Sequence, residues 1–250
     1  MKKNPVKTGM TMQVDSKFIF DVDGTLTPSR KKMEHEFWAP FLIFCREHDV
    51  YLVTGSDREK TVEQVGLDIF YTAKRVYNCS GSDVYEKDKN VYRDKWELPK
   101  DVEMHLEDEL VFSDFPLRNG NHIERRPGGV NFSILGRDTN PMKGRKEYIS
   151  WDNIHQERLY IARRLLYNFS DLTVALGGQT GIDIGPKGSD KSQILRDFSK
   201  DDDIHFFGDM MEKGQNDYPL AMAIVNNMMG TAYSVEDWKE TRTLLEGMQH

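Results

Sequence analysis

The stretch best suited to chemistry in this 250-residue sequence is Asp21-Val22-Asp23-Gly24-Thr25, directly after the apolar Phe18-Ile19-Phe20. Two carboxylates this close repel each other unless a cation sits between them. Mg2+ suits such an oxygen-rich setting. With that help Asp21 can attack phosphorus, and Asp23 can carry the proton of the entering or leaving oxygen. The bland alternative is an acidic β-turn, which the preceding apolar strand and the following Leu26-Thr27 disfavour. Thr54 follows Leu52-Val53 and offers a hydroxyl that can hydrogen-bond a transferring phosphoryl oxygen. Lys191, at a helix start, can supply positive charge to the same group. Asp209 ends another apolar run, Ile204 to Phe207, and Asn216-Asp217 follows shortly; the acids there are candidate metal ligands. Singly, each of these is an ordinary cap, turn or solvated residue. As a set they need only a scaffold that brings strand ends together.

The apolar pattern predicts that scaffold. Phe18 to Phe20 reads as a strand, and Lys31 to His48 as a helix with Met33, Phe37, Phe41 and Phe44 on one face and a kink at Pro40. Asp49 to Val53 is a second strand, a helix capped by Ser56 or Asp57 runs to Val65, and Arg75 to Tyr77 is a third strand. This alternation specifies a parallel sheet with crossover helices, and such sheets bind ligands at the carboxyl ends of their strands. The rhythm then changes. Ile123 to Ile134 reads as a hairpin turning at Pro127-Gly128-Gly129, Trp151 to Asn168 as a helix, and Leu172 to Leu176 and Ile182 to Ile184 as strands. Helix (Ser189 to Phe198), strand (Ile204 to Phe207) and two helices (Tyr218 to Asn226, Val235 to Met248) then resume the first pattern. The expected fold class is α/β. A Rossmann-like parallel-sheet core is split between residues 1–84 and 187–250, with an α+β unit inserted at 85–186.

Composition narrows the partners. A net charge of −7 offers no basic surface for nucleic acid. Residues 118–164 nevertheless hold ten basic against five acidic side chains, enough to attract a small anion. The longest apolar run, Phe37 to Cys45, is too short to span a bilayer and is interrupted by Pro40. The basic first residues lack the apolar segment of a secretory signal and are expected to be a frayed terminus. Two cysteines, Cys45 and Cys79, indicate a reducing, cytoplasmic setting rather than a disulfide framework.

Asp21 and Asp23, Thr54, Lys191, and Gly208-Asp209 with Asn216-Asp217 resemble, in order and spacing, the four motifs of the haloacid dehalogenase superfamily, with an inserted cap between the second and third. The segments Phe20 to Thr27, Gly55 to Lys60, Ile123 to Arg126, Ile134 to Arg137, Gly177 to Gln179 with Asp183, and Phe206 to Asp209 are similar to the eukaryotic-type phosphomannomutases of that superfamily. The resemblance implies Mg2+ held by Asp21, Asp23, Asp209 and Asp217, and a phosphosugar substrate. It implies that Arg126, Arg137 and Arg145 grip the phosphate not being transferred, that Arg30 is a further substrate arginine, and that Asp183 holds sugar hydroxyls. It also implies a hexose 1,6-bisphosphate activator and a homodimer through the cap. Four features depart from the family: Thr54 and Gly181 stand where it has glycine and serine, Pro127 replaces the asparagine of its hairpin, and Val84 to Asn121 does not align. Three activities are therefore weighed: a mutase interconverting hexose 1- and 6-phosphates, a Mg2+-dependent sugar-phosphate phosphatase, and a non-catalytic phosphosugar-binding protein.

Overall fold

A computed structural model describes residues 16–137 and 143–248; the basic stretch expected to fray lies mostly outside the described residues. The chain first forms β1 (Ser16–Asp21), α1 (His35–Glu47), β2 (Asp49–Val53), α2 (Arg58–Val65), α3 (Leu67–Thr72), β3 (Arg75–Asn78), β4 (Asp83–Glu86) and β5 (Lys89–Arg93). It continues through α4 (Lys100–Phe112), β6 (Ile123–Arg126), β7 (Gly129–Phe132), α5 (Lys143–His155), α6 (Glu157–Asn168), β8 (Leu172–Gly177) and β9 (Gly181–Pro186). A 3-10 helix (Lys191–Asp197), β10 (Asp203–Gly208), α7 (Tyr218–Asn226), β11 (Gly230–Ser234) and α8 (Trp238–Met248) complete it.

Seven strands form one sheet in the order β11-β10-β1-β2-β3-β4-β5. The first five in that order run parallel, and β4 and β5 are antiparallel additions. Alternation along β1 sends Phe18 and Phe20 into a cluster with α1, α2, α3 and α8, and Ile19 into a second cluster with α7 and the 3-10 helix. Both faces are thus covered, which is why these strands read as unbroken apolar runs. The predicted stripe of α1 is buried: Met33, Phe37, Phe41 and Phe44 are each at most 8% exposed.

The second sheet has four strands in the order β6-β7-β9-β8, all antiparallel. Period-two alternation gives it unlike faces. Val130, Phe132, Leu172, Ile182 and Ile184 pack with α4, α5 and α6. The opposite face carries Glu124, Arg126, Asn131 and Asp183 among the small residues Gly129, Ala175, Gly177, Gly181 and Gly185.

Several expectations are corrected. The hairpin β4–β5 extends the seven-stranded sheet to Arg93, so an inserted unit beginning at residue 85 would cut through it. Helix α1 starts at His35 rather than Lys31; ahead of it, the Met33 N–H is taken by the Gln64 carbonyl at 2.7 Å. The helix expected from Trp151 to Asn168 is two helices parted by Gln156, which adopts a left-handed φ of 50°. There the Asp152 carboxylate accepts from the Arg158 N–H at 2.9 Å and from its Nε at 2.6 Å, which satisfies a free donor at the start of α6. The segment after Asp190 is a 3-10 helix, capped by the Asp190 carboxylate on the Ser192 N–H.

Phe20 is fully buried, stacked on Phe207 at 4.8 Å and edge-on to Phe41 at 5.1 Å. Phe20→Ala is expected to cost about 3–5 kcal/mol of stability by leaving a cavity, measured as a shift of the urea unfolding curve.

Candidate active site

Parallel pairing of β1 with β2 and β10 sets Asp21 beside Val53, and Phe20 beside Phe207. Asp21, Thr54 and Asp209 therefore sit at or just beyond neighbouring strand ends. Lys191, at the start of the 3-10 helix, has no exposed surface and donates to Asp21 Oδ1 at 2.5 Å and to Asp217 Oδ1 at 2.6 Å. Asp217 also accepts from the Met210 N–H at 3.0 Å through its other oxygen. Asp21, Asp209 and Asp217 each bring a carboxylate oxygen within 4.8 Å of the others. Burial pushes the Asp21 carboxyl well above the usual carboxylate range; Lys191 opposes this, and Asp217 and Asp209 add to it. Burial and the neighbouring Asp217 lift Asp209 to about 6. Lys191 moves up: burial works against its charge, but Asp21 and Asp217 outweigh it.

These carboxylates fit a divalent cation. Asp209 Oδ1 is buried without a hydrogen-bond partner. The carboxylates also close over bare backbone: a Cβ on Gly24 would lie 2.2 Å from Asp209 Oδ2, and one on Gly208 would lie 2.7 Å from Asp217 Oδ2. Asp23, expected as a fourth ligand, does not join the group. Its Oδ1 accepts from the Arg30 N–H and from Gln64 Nε2, the latter at 3.1 Å, because the tight turn at Gly24 aims it at α2. Thr54 is buried, with its backbone N–H on the Tyr77 carbonyl and its Oγ1 accepting from the Ser56 N–H at 3.1 Å. Its own hydroxyl proton is left to donate.

The polar face of the small sheet supplies the opposing charge. Register puts Glu124, Asn131 and Asp183 in one row across β6, β7 and β9. Asn131 Nδ2 donates to Asp183 Oδ1 at 2.5 Å. Arg126 is held by Glu124, and its Nη1 reaches the Gly55 carbonyl of the main sheet's loop at 3.4 Å. Arg137 lies 3.2 Å from Glu124. Arg145 donates to Gln179 at 3.3 Å and keeps one buried guanidinium nitrogen, Nη2, without a partner. Burial, then repulsion by Arg30, Arg137 and Arg158, lowers the Arg145 pKa. Arg30, Arg137 and Arg145 thus repel one another, and Arg126 repels Arg137. A cleft of about 260 Å³ between the two sheets is lined by Gly55, Arg126, Asp183, Lys191, Asn216 and Tyr218.

The family model for eukaryotic phosphomannomutases matches residues 41–249. A phosphomannomutase of Galdieria sulphuraria is 34% identical over 227 residues, covering 84% of this chain and 87% of that one. The chain belongs to the eukaryotic phosphomannomutase family. That family is one of isomerases acting as phosphotransferases. Among solved structures, an IMP-nucleotidase of Plasmodium falciparum superposes with a TM-score of 0.63 at 16% identity, covering 96% of this chain and 69% of that one. A haloacid dehalogenase-like hydrolase from Bacteroides thetaiotaomicron gives 0.56 at 13% identity, covering 90% and 91%. These two show the fold, a haloacid dehalogenase-type core.

For a phosphomannomutase-family chain, the residues singled out from sequence fall into two groups. Asp21, Thr54, Lys191, Asp209 and Asp217 meet at the strand ends, and Arg30, Arg126, Arg137, Arg145 and Asp183 meet at the small sheet. Sequence reasoning missed Gln64, Asn131 and Arg158, and gave Glu124 no role. Arg158 donates to the carbonyls of Gly178 and Gly181 at 3.0 and 3.3 Å and so holds the β8–β9 turn, where Gly178 packs beside Arg30. The available signal was strand alternation, which places Glu124 and Asn131 on the arginine face.

In metal-free protein, the folded chain keeps a proton on Asp209 that the unfolded chain has lost between pH 3.8 and about 6. Stability contributed by that proton falls as pH rises through this window, and Asp21 acts with the same sign. Thermal midpoints measured with chelator across this range should fall less steeply for Asp209→Asn than for the parent.

Proposed function

We propose that the chain interconverts hexose 1-phosphate and hexose 6-phosphate, with mannose as the hexose, by passing the phosphoryl group through Asp21. The observation that carries this reading is one cleft that meets two groups of opposite charge: Lys191 of the carboxylate–lysine group at the strand ends and Arg126 of the arginine group on the small sheet both line it. With a cation bound, the first would take the transferring phosphoryl group, and the second would hold the other phosphate. A mutase needs both, because its bisphosphate intermediate carries one phosphate at each end.

Lys191 holds Asp21 Oδ1 and so leaves Oδ2 to attack phosphorus. As the new oxygen–phosphorus bond forms, the bond from phosphorus to the sugar oxygen breaks, and Asp23 donates the proton that this oxygen takes up. Gln64 and the Arg30 N–H engage Asp23 Oδ1, which leaves Oδ2 to move the proton. In the opposite direction, with Asp23 as base, the free hydroxyl of a hexose monophosphate takes the phosphoryl group from Asp21 to give the bisphosphate; once this has turned end for end, Asp21 takes the phosphoryl group from its other end and the isomeric monophosphate leaves. Asp21, Asp209 and Asp217 would hold Mg2+, which when bound offsets the charge of the carboxylates and of the phosphoryl oxygens. A hexose 1,6-bisphosphate would load Asp21 with its first phosphoryl group. The Thr54 hydroxyl, which accepts from the Ser56 N–H, would donate its own proton to the transferring group.

Arg126, Arg137, Arg145 and Arg30 would hold whichever phosphate is distal, since guanidinium forks pair with phosphate oxygens. Asp183, oriented by Asn131, would accept from sugar hydroxyls. The small sheet and its helices act as the cap that keeps water from the aspartyl phosphate. A homodimer through this cap belongs to the same reading: α4 exposes Met104, Val111 and Phe112 on its outer side. So does a cytoplasmic site, with Cys45 and Cys79 as free thiols. Among the described residues no helix is long and apolar enough to cross a membrane.

A second reading, a sugar-phosphate phosphatase, is favoured by Thr54, which gives the transferring group a donor that hydrolysis can use equally well, and by the altered cap at Pro127 and Gly181. Phosphorus NMR with Mg2+, mannose 1-phosphate and a trace of glucose 1,6-bisphosphate separates the two. The mutase reading expects mannose 6-phosphate with little free phosphate; free phosphate alone would establish hydrolysis. Asp21→Asn should abolish both products. Arg137→Ala should weaken substrate binding by about 1.5–3 kcal/mol, the worth of a charge-assisted hydrogen bond.

A further inference from the structure

We propose that Glu124 is the positioning residue of the phosphate-gripping arginines. It orients Arg126 and offsets the repulsion between Arg126 and Arg137. The inference rests on the reading that these arginines hold the distal phosphate.

Glu124 and Arg126 lie two residues apart on β6, so they share the polar face. Arg126 donates from Nε to Glu124 Oε1 at 3.1 Å and from Nη2 to Oε2 at 3.0 Å. This is a bidentate pair on the side edge of the guanidinium. It leaves the end edge, Nη1 and the second proton of Nη2, for another anion. Nη1 has only a long contact, 3.4 Å to the Gly55 carbonyl. Glu124 therefore aims the free edge of Arg126 at the cleft instead of blocking it.

The same carboxylate faces Arg137. Oε2 lies 3.2 Å from Arg137 Nε, which is buried and makes no hydrogen bond. Glu124 is thus the negative charge between two guanidiniums, with Arg30 also acting on it. Burial lowers the Arg137 pKa, and Arg126 and Arg30 push in the same direction against the attraction of Glu124. Without that carboxylate, nothing at its position would balance two half-buried cations. Both long side chains could then turn toward water, and substrate would have to reorder them on binding. Asp183 also attracts both guanidiniums, but among the described residues its carboxylate is bonded to Asn131 and forms no ion pair with Arg126 or Arg137, so it does not orient them.

A carboxylate beside a phosphate site could instead act as a competing anion. The two roles predict opposite signs. Binding of mannose 1-phosphate, with Mg2+ present, is measured by calorimetry for wild type, Glu124→Gln, Arg126→Ala, Arg137→Ala and the Glu124→Gln/Arg126→Ala pair. Glu124→Gln keeps the shape and one acceptor but loses the charge, and should weaken binding about tenfold. In steady-state turnover its KM should rise more than its kcat falls. In the Arg126→Ala background the same change should have much less effect, since Glu124 acts through Arg126. Unchanged or tighter binding by Glu124→Gln overturns the inference, and so does full additivity in the double variant. If Arg126→Ala and Arg137→Ala both bind like wild type, or wild type binds nothing, the arginine reading fails and takes the inference with it. Should Glu124→Gln not fold, Glu124→Asp, which keeps the charge on a shorter arm, must show a smaller weakening of the same kind; wild-type binding there is equally fatal.

Discussion

The buried ammonium of Lys191 is the interaction around which the rest of the molecule is arranged. It has no exposed surface, and it survives in the interior only because Asp21 and Asp217 stand at 2.5 and 2.6 Å. A buried charge without partners is strongly destabilising, so the three side chains require one another. Asp209 adds a further acid within reach, and one lysine does not balance three carboxylates. Burial, with the surplus negative charge adding to it, lifts Asp21 and Asp209, and the carboxylates so gathered suit a divalent cation. Chain positions as distant as Asp21 and Lys191 meet because β10 pairs with β1, which brings the late part of the sequence back beside the first strand.

The small sheet answers that negative charge with positive charge across the cleft. Its strands alternate, so one face is apolar and packs under α4, α5 and α6, while the other carries Glu124, Arg126, Asn131 and Asp183. Glycines on that second face make room for long polar side chains. A Cβ at Gly181 would fall 2.5 Å from Asn131 Oδ1 and 2.9 Å from an Arg137 nitrogen. The two sheets meet at one cleft, with the carboxylates on one side, the arginines on the other, and Arg126 reaching from the small sheet to the Gly55 loop of the main one.

The carboxylate side of the cleft was legible in the sequence because each of its residues ends an apolar run or opens a turn. Strand ends are the positions where a parallel sheet gathers chemistry, so Asp21, Thr54 and Asp209 declare themselves. Lys191 and the cap arginines were located through the family resemblance as much as by pattern. What escaped had physical reasons. The hairpin β4–β5 is held by polar pairs such as Arg93 with Asp83, and every residue of β5 is exposed, so hydrophobic alternation is absent. In α4 the stripe Val102 and Leu106 continues with Glu109, a buried acid bonded to Arg164, which masks the helical period. The break at Gln156 depends on Asp152 capturing Arg158, a contact that no local propensity announces. The turn of Asp23 away from the other carboxylates follows from the positive φ of Gly24, which sends the Asp23 side chain to Gln64 of α2.

On the proposed mechanism, this charge arrangement makes Asp21 the residue that carries the phosphoryl group. The most direct measurement is rapid quenching of protein turning over with Mg2+ and glucose 1,6-bisphosphate, followed by mass spectrometry of the acid-stable digest. One added phosphoryl group is expected on the peptide containing Asp21, and none in Asp21→Asn. Turnover that proceeds with the phosphoryl group on another residue, or in Asp21→Asn protein, would contradict that mechanism.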